Sequence, residues 1–450
     1  MKKSFLLIFA VLLPLVVSAQ TKVKIGGFWY NLDLETKQAE VTYKGDHPLD
    51  YDEYSGSLYL AAPIINYNNE IYSVTGIGDE AFAASSLTSL TIPNRLKITS
   101  IGDGAFSMCM GLTSFNIPES VTNIGDKVFL GCFNLESVNI PVGVTSIGDA
   151  VFEYCSSLTA ITIPESVTSI GIGAFAGCSS LTAIAIPEGV KSIGMGAFSS
   201  CSNLTAITIP AGVTSIGNRV LAFCNNIASM IVDENNAYYD SRDGCNGIVE
   251  TATNTLIAAS ESTIIPASVT SIGDAVFSGR SGLTTIDIPM GVTSIGDEAF
   301  ASSGLITIIL PEGVTSIGET AFIGCTNLTS INIPKSVTNI GSGIFSGCGS
   351  LKHVYCHAEE VPSSGGFWFT AVSEHATLHV PANALEAYKS DASWGSFPNI
   401  VALTEDETGI GRLANGDSEM TIYDLHGRRI TDAEGLKGVY IVNGSKTVIK

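Results

Sequence analysis

Apolar residues recur along this chain in a fixed rhythm, and one unit, Leu158 to Ser180, reads LTAITIPESVTSIGIGAFAGCSS. Leu158, Ile161 and Ile163 stand at L-x-x-I-x-I spacing. A short extended segment would turn these three inward and leave Thr159, Ala160 and Thr162 outside. Pro164 then ends the strand, since it cannot donate to a ladder. Val167 and Ile170 read as a second inward pair on the return, Gly171 as a tight bend and Phe175 as the large plug of the core. Cys178 closes the unit as a small apolar residue beside Gly177. A single unit cannot bury these groups alone, so the pattern predicts stacking.

The Ile-Gly pair marks the period. Its glycines fall at 78, 102, 125, 148, 171, 194, 217, 273, 296, 318 and 341. Neighbouring pairs are 22 to 24 residues apart, mostly 23, except for a gap of 56 between Gly217 and Gly273. Leucine-rich repeats have periods of roughly 20–29 residues, whereas propeller blades and paired-helix repeats are longer. The expected fold is a right-handed, β-rich leucine-rich-repeat solenoid over 74–351, with short strands and short helical turns. A dozen rungs about 4.8 Å apart would make a rod roughly 55–60 Å long.

The 56-residue gap equals an ordinary rung plus an enlarged one, placed at about 225–266. Ile227 to Val232 keeps the strand spacing, with Val232 where proline usually stands. Asp233 to Gly244 (DENNAYYDSRDG) reads as a surface loop, and Ile248–Glu250 with Thr255–Ile257 as a hairpin around Thr253-Asn254.

A solenoid needs closed ends, because a terminal rung exposes core and strand edges. Residues 20–73 alternate apolar and polar around Val23-Lys24-Ile25 and Phe28-Trp29-Tyr30, which predicts a β-rich N-terminal cap. Within 352–401, ATLHVPANALEAYKSDASW predicts a strand, a proline stop and a short helix as the opposite cap. Residues 402–419 read as a polar linker and 420–450 as a small β tail. Ahead of all this, Lys2 and Lys3 precede an apolar run from Phe5 to Val17 and the small residues Val17-Ser18-Ala19. That is the pattern of a signal peptide over 1–19, cleaved between Ala19 and Gln20. The expected location is secreted or at the outer cell surface, without direct membrane insertion of the mature chain.

The repeated motif LTxIxIPxxVTSIGxxAFxxC, nearly unchanged from 87 to 351, resembles the BspA-like (Bacteroides surface protein A) branch of leucine-rich repeat proteins. The resemblance implies a surface-associated adhesin that binds host extracellular-matrix proteins or other bacteria. It also implies that the enlarged rung and the C-terminal cap are family features. The tail, through IYDLHGRRI, KGVYIV and a basic end, resembles C-terminal sorting modules of secreted Bacteroidetes proteins. It is shorter than a full type IX signal, and a plain β appendage fits it equally well.

Charge and composition narrow the partners. Only 14% of residues are charged and 45% are hydrophobic, which excludes a disordered chain. The formal net charge of −21 becomes two units more negative once Lys2 and Lys3 are removed. A polyanion repels phosphate backbones and acidic headgroups, so nucleic acid is not an expected partner.

Eight of ten cysteines occupy one column, seven residues after the anchor glycine: 109, 132, 155, 178, 201, 224, 325 and 348. Stacking would put neighbours within disulfide range, yet Arg280 and Ser303 interrupt the column. Small buried thiols are the favoured reading, and no disulfides are expected. His353, His357, His375 and His379 lie close together with Cys356. Their spacing is not diagnostic, and exposed cap histidines outweigh a metal site. Aspartates at 79, 103, 126, 149, 274 and 297 could form a calcium-attracting ladder, but short-helix N-caps are favoured. No metal or cofactor is expected. The motifs G-x-S-x-G, H-E-x-x-H and the P-loop are missing, and no histidine lies between His47 and His353, so no catalytic residues are assigned and no enzyme is expected.

What remains is surface. Thr159 and Thr162, Thr182, and Thr205 and Thr208 form an outward ribbon expected on the concave face, which suits an extended protein or polymer. A generic threonine ladder favoured by β-propensity is the preferred account of it. Irregular places carry sharper candidates: Tyr238 and Tyr239 in the enlarged rung, and Trp368 within Phe367-Trp368-Phe369. The expected function is a non-enzymatic protein-binding scaffold, with a glycan-binding or nutrient-capture module as the alternative. Oligomeric state is left open.

Overall fold

The computed structural model describes residues 20–45, 54–365 and 375–404, with the backbone of four short strands between 422 and 449. The leader expected over 1–19 and most of the linker lie outside the described residues.

Rungs stack as the periodicity requires, in a β-solenoid of about 14 turns. Leu158, Ile161, Ile163, Val167, Ile170, Phe175 and Cys178 are all buried. The core includes a spine of phenylalanines, one per rung. Phe82, Phe106, Phe129, Phe152, Phe175 and Phe198 follow each other face to face, with ring centroids 5.2 to 5.7 Å apart. Phe277, Phe300, Phe322 and Phe345 continue the stack after a break where Leu221 stands.

The most regular backbone pairing lies just before the anchor glycine. Two-residue strands such as Ser146–Ile147, Ser169–Ile170 and Ser192–Ile193 pair in parallel and in register. The amide of Gly171 then donates to Ile147 O at 2.8 Å, and that of Gly194 to Ile170 O at 2.8 Å. The L-x-x-I-x-I segments pair less evenly. They form strands at Ala206–Ile209 and Ser229–Val232, and again from Thr307–Ile309 to Asn399–Ala402. Between Leu158 and Ile163, and between Leu181 and Ile186, there is no strand, although their isoleucines still point inward.

The anchor glycine is not needed for a bend. Its φ is ordinary at every anchor, and what excludes a side chain is the neighbouring rung. A Cβ on Gly171 would stand 2.6 Å from both Asp149 Oδ1 and the backbone carbon of Gly148. Left-handed backbone falls instead on the second and sixth residues after it. At the second, Glu80, Lys127, Ala150, Arg219, Ala275, Glu298 and Thr320 alternate with glycines, all at φ between 51° and 61°. Two left-handed residues per rung prevent a helix from forming. The edge is hydrogen-bonded between rungs instead: Phe129 N donates to Val151 O at 2.8 Å, and Phe175 N to Ala197 O at 2.8 Å.

With no helix there, the aspartates do not cap one. Asp79, Asp103, Asp126 and Asp149 each offer Oδ1 to a backbone amide of the following rung, at 2.7 to 2.9 Å. They are rung-to-rung staples.

The cysteine column has a similar task. All ten cysteines are buried with free thiols. Each column thiol donates to the carbonyl of the phenylalanine one rung back, as Cys155 Sγ does to Phe129 O at 3.2 Å and Cys178 Sγ to Phe152 O at 3.2 Å. Burial pushes these thiols up, Cys109 and Cys224 to about 11, because a thiolate in the apolar column would lose its hydration.

The enlarged rung is where the stack changes. Tyr239–Asp240, Gly247–Glu250 and Thr255–Ala259 form antiparallel strands, and the last pairs in parallel with Ser271–Ile272. On the opposite edge the chain skips: Phe223 N donates to Ser278 O at 3.1 Å, across 55 residues of sequence. The buried apolar side chains divide here into two clusters. Arg280, 1% exposed, occupies the cysteine column at this joint. Its guanidinium donates to Leu221 O at 3.1 Å, to Cys224 O, and to Ala259 O at 2.8 and 3.0 Å. Burial lowers its pKa, because removal from water disfavours the cation.

Both ends are closed. At the start, strands Gln20–Ile25, Phe28–Asp33 and Gln38–Thr42 form a meander whose last member pairs with Glu70–Ile77. Phe28 packs edge-on and Tyr54 tilted against Phe82, the first ring of the stack. At the other end, the helix Leu385–Ser390 brings Tyr388 against Trp394, edge to face at 5.3 Å. Both are buried and hydrogen-bonded, Tyr388 to Ala358 O at 3.0 Å and Trp394 Nε1 to Pro362 O at 3.1 Å. The tail strands Ile422–Tyr423, Arg429–Ile430, Gly438–Val442 and Ser445–Ile449 make a separate antiparallel sheet.

Two outcomes are expected. Gly171→Ala forces a Cβ into the preceding rung and lowers unfolding free energy by about 1–3 kcal/mol. Gly173→Ala costs about 1 kcal/mol or less, because Ala150 and Ala275 already occupy the equivalent site. Urea midpoints distinguish them, and equal losses would refute the close-approach account. Arg280→Cys, although it restores the column residue, strands three buried carbonyls and destabilises by about 1–3 kcal/mol. Its melting curve should broaden or split as the two core clusters uncouple; wild-type stability would show that the joint does not need the guanidinium.

Candidate functional site

The surface most able to distinguish partners is the outward column of the L-x-x-I-x-I segments. Inward isoleucines fix the backbone, and the residue between them is released from packing. Thr159, Thr162, Thr182, Thr205 and Thr208 all lie exposed along it. Thr205 Oγ1 also donates to Thr182 O at 3.2 Å, which ties adjacent rungs. The residue two positions before the proline position forms a single file: Asn116, Asn139, Thr162, Ala185, Thr208, Ile231, Ile264, Asp287, Ile309, Asn332, Tyr355 and His379.

This file changes character along the rod. Its first members are small or polar, and Asn139 spans neighbouring rungs by bonding both the amide and the carbonyl of Ile117, at 2.8 and 3.0 Å. At the enlarged rung it becomes apolar and exposed: Ile231 at 52% and Ile264 at 77%. Tyr238, 51% exposed, belongs to the same inserted region. Sequence reading missed both isoleucines, although their alignment with Thr162 and Thr208 would have shown them to be outward.

Tyr239 is not available as a surface anchor. It is 3% exposed, and its hydroxyl accepts the amide of Ile216 at 2.8 Å. Antiparallel pairing of Tyr239–Asp240 turns the ring onto the preceding rung, so the segment is not simply a loop. Asn236 holds the turn: its Oδ1 accepts from the amides of Tyr238 and Tyr239, and its Nδ2 donates to Pro210 O and Val213 O. Trp368 and its neighbours Phe367 and Phe369 lie outside the described residues.

At the C-terminal end the outward positions become aromatic and basic. Strands His353–Cys356 and Thr377–Val380 pair so that His353 faces Thr377 and Tyr355 faces His379. His353 Nδ1 lies 3.1 Å from His379 Nε2, and the Tyr355 ring is 4.6 Å from that of His379. A shallow cleft beside them is lined by Thr329, Gly349, Ser350, Lys352, His353 and His375. His379 is thereby a buried residue, 8% exposed, and not the freely outward side chain that strand alternation suggests. Cys356 points inward as expected and meets the Tyr388 hydroxyl at 3.3 Å. Among the described residues, no group of three or more His, Cys, Asp or Glu is placed to hold a metal ion.

The model of the BspA type leucine rich repeat region matches residues 75–175, 145–243 and 257–367, in six copies. The chain belongs to the BspA-type leucine-rich repeat family. Among solved structures it is similar to a leucine rich cell surface protein of Faecalibacterium prausnitzii A2-165, with 27% identity and a TM-score of 0.65. That match covers 86% of this chain and 97% of the other. The pneumococcal vaccine antigen PcpA is similar in fold, at 20% identity and a TM-score of 0.62, covering 86% and 99% of the two chains. No curated protein matches significantly. Leucine-rich repeat proteins of this type are typically non-catalytic interaction scaffolds. No helix among the described residues is long and apolar enough to cross a membrane.

The two neighbouring tyrosines should separate cleanly. Tyr239→Phe removes the acceptor of a part-buried amide and lowers stability by about 1–2 kcal/mol. Tyr238→Ser changes it by less than about 0.5 kcal/mol. Thermal melts of the two variants test this, and a neutral Tyr239→Phe would return that residue to the surface.

Proposed function

We propose that this chain is a non-enzymatic scaffold, exported to the outer cell surface, that binds an extracellular protein along its outward ribbon. One observation carries the reading. The outward file is held by stacked rungs on either side of the joint, yet it runs from threonine and asparagine to exposed isoleucine and then to tyrosine and histidine. A rigid row with such graded chemistry suits an extended protein partner. Exposed apolar side chains at Ile231, Tyr238 and Ile264 would supply the buried centre of the contact and the threonines its polar rim.

Membership of the BspA-type family and likeness to a cell surface protein support the location. The leader pattern at 1–19 supports it independently. The net charge of −21 disfavours nucleic acid and acidic lipid surfaces as partners. Thr159, Thr162, Thr182, Thr205, Thr208 and Tyr238 are the binding residues on this reading. Host matrix proteins and the surfaces of other bacteria are the partner classes.

The test is a binding screen of the full chain against immobilised extracellular-matrix proteins and bacterial surface proteins, with a glycan array in parallel. Saturable binding to a protein is expected. Thr208→Arg combined with Ile231→Arg should weaken it at least about tenfold, a loss of about 1.4 kcal/mol. Thr168→Arg, exposed before the anchor strand, should leave it unchanged. Binding to glycans alone, or protein binding indifferent to the ribbon variants, would overturn the proposal.

A further inference from the structure

We infer that the paired imidazoles of His353 and His379 form a binding site for a divalent transition-metal cation of the zinc, copper or nickel type. His353 Nδ1 and His379 Nε2 stand 3.1 Å apart. Imidazole donors bind such ions at about 2.0–2.1 Å, so two of them span about 2.9 Å at a right angle and about 3.4 Å at the tetrahedral angle. The observed separation falls between these values. The separation thus suits two nitrogens sharing one ion, which would replace the hydrogen bond between them.

The scaffold restrains both ligands. They come from adjacent parallel strands, His353–Cys356 and Thr377–Val380, in fixed register. Register also flanks His379 with Tyr355 on one strand and Val401 on the other. The Tyr355 ring packs against both imidazoles, at 5.8 Å from His353 and 4.6 Å from His379. Ligands oriented before the ion arrives lose less entropy on binding it.

Space for the remaining ligands lies on the His353 side. That residue is exposed and lines the shallow cleft with Ser350, Lys352 and His375. Two protein donors and an open cleft make an exchangeable site completed by solvent, unlike the closed four-ligand sites that stabilise folds. Imidazole favours zinc, copper and nickel over calcium or magnesium. The site therefore differs in kind from the aspartate ladder, whose Oδ1 atoms are occupied by backbone amides.

Calorimetric titration of the metal-free full chain with zinc chloride tests the assignment, with calcium chloride as a second titrant. One saturable zinc site is expected, and no heat of binding with calcium. His353→Ala, at an exposed position, and His379→Ala should each weaken zinc at least about tenfold. His357→Ala, outside the pair, should not. Melting temperature in the absence of zinc checks that each variant is folded. Copper titration followed by electron paramagnetic resonance gives a readout independent of the variants, since two equatorial nitrogens are expected in the wild-type spectrum. No zinc binding by the wild type, or undiminished binding by the His353→Ala/His379→Ala double variant, would show that the two rings share only an imidazole–imidazole hydrogen bond.

Discussion

Successive rungs of this solenoid can pack only because the residue at each anchor has no Cβ. At Gly171 the preceding rung comes so near that any side chain would strike Asp149 or the backbone of Gly148. That approach brings backbone donors and acceptors of adjacent rungs within hydrogen-bond range both at the anchor strand and at the turn edge. With the backbone satisfied, the interior can be almost wholly apolar. The phenylalanine spine and the column of small thiols then stack at the spacing the glycines allow. The aspartates join the same arrangement, since each carboxylate meets an amide that the close approach has placed beside it.

The enlarged rung shows what happens when this rule is relaxed once. A missing turn leaves carbonyls of Leu221, Cys224 and Ala259 facing a gap in the core. A cysteine donates once and cannot reach all three, whereas a planar guanidinium with five donors can. Burying a cation without a carboxylate is costly, and carbonyl dipoles offset that cost only in part. Here the guanidinium links two core clusters that would otherwise abut through unsatisfied polar groups. At the same interruption the outward file turns apolar, at Ile231 and Ile264, and further along it reaches Tyr355 and His379. Packing constrains the inner columns to near identity, so chemical individuality can accumulate only outside.

Much of this arrangement is legible in the residue pattern. A strict period and an L-x-x-I-x-I spacing imply stacked rungs, since no single unit can bury its own apolar residues. The inward set around Leu158, the hairpin near Thr253-Asn254 and the helix-bearing cap follow from local pattern alone. Periodicity is least informative about polar residues. It does not show that an aspartate beside the anchor bonds the next rung in place of a helix end. Nor does it show that adjacent tyrosines part, with Tyr238 outside and Tyr239 under the Ile216 amide. Arg280 stands out in the sequence only as an interruption of the cysteine column, because its three carbonyl partners come from segments as distant as Leu221.

By itself, then, the order of residues determined the solenoid, its inward and outward columns and its family, because those depend on repetition and on side-chain volume within each unit. Tertiary structure decided which polar groups meet: carboxylate with amide, thiol with carbonyl, guanidinium with the joint, and one histidine ring with another. Those pairings cross rungs. Their geometry depends on how neighbouring turns are placed in three dimensions, and hydrogen bonds a few tenths of an ångström beyond reach would not form.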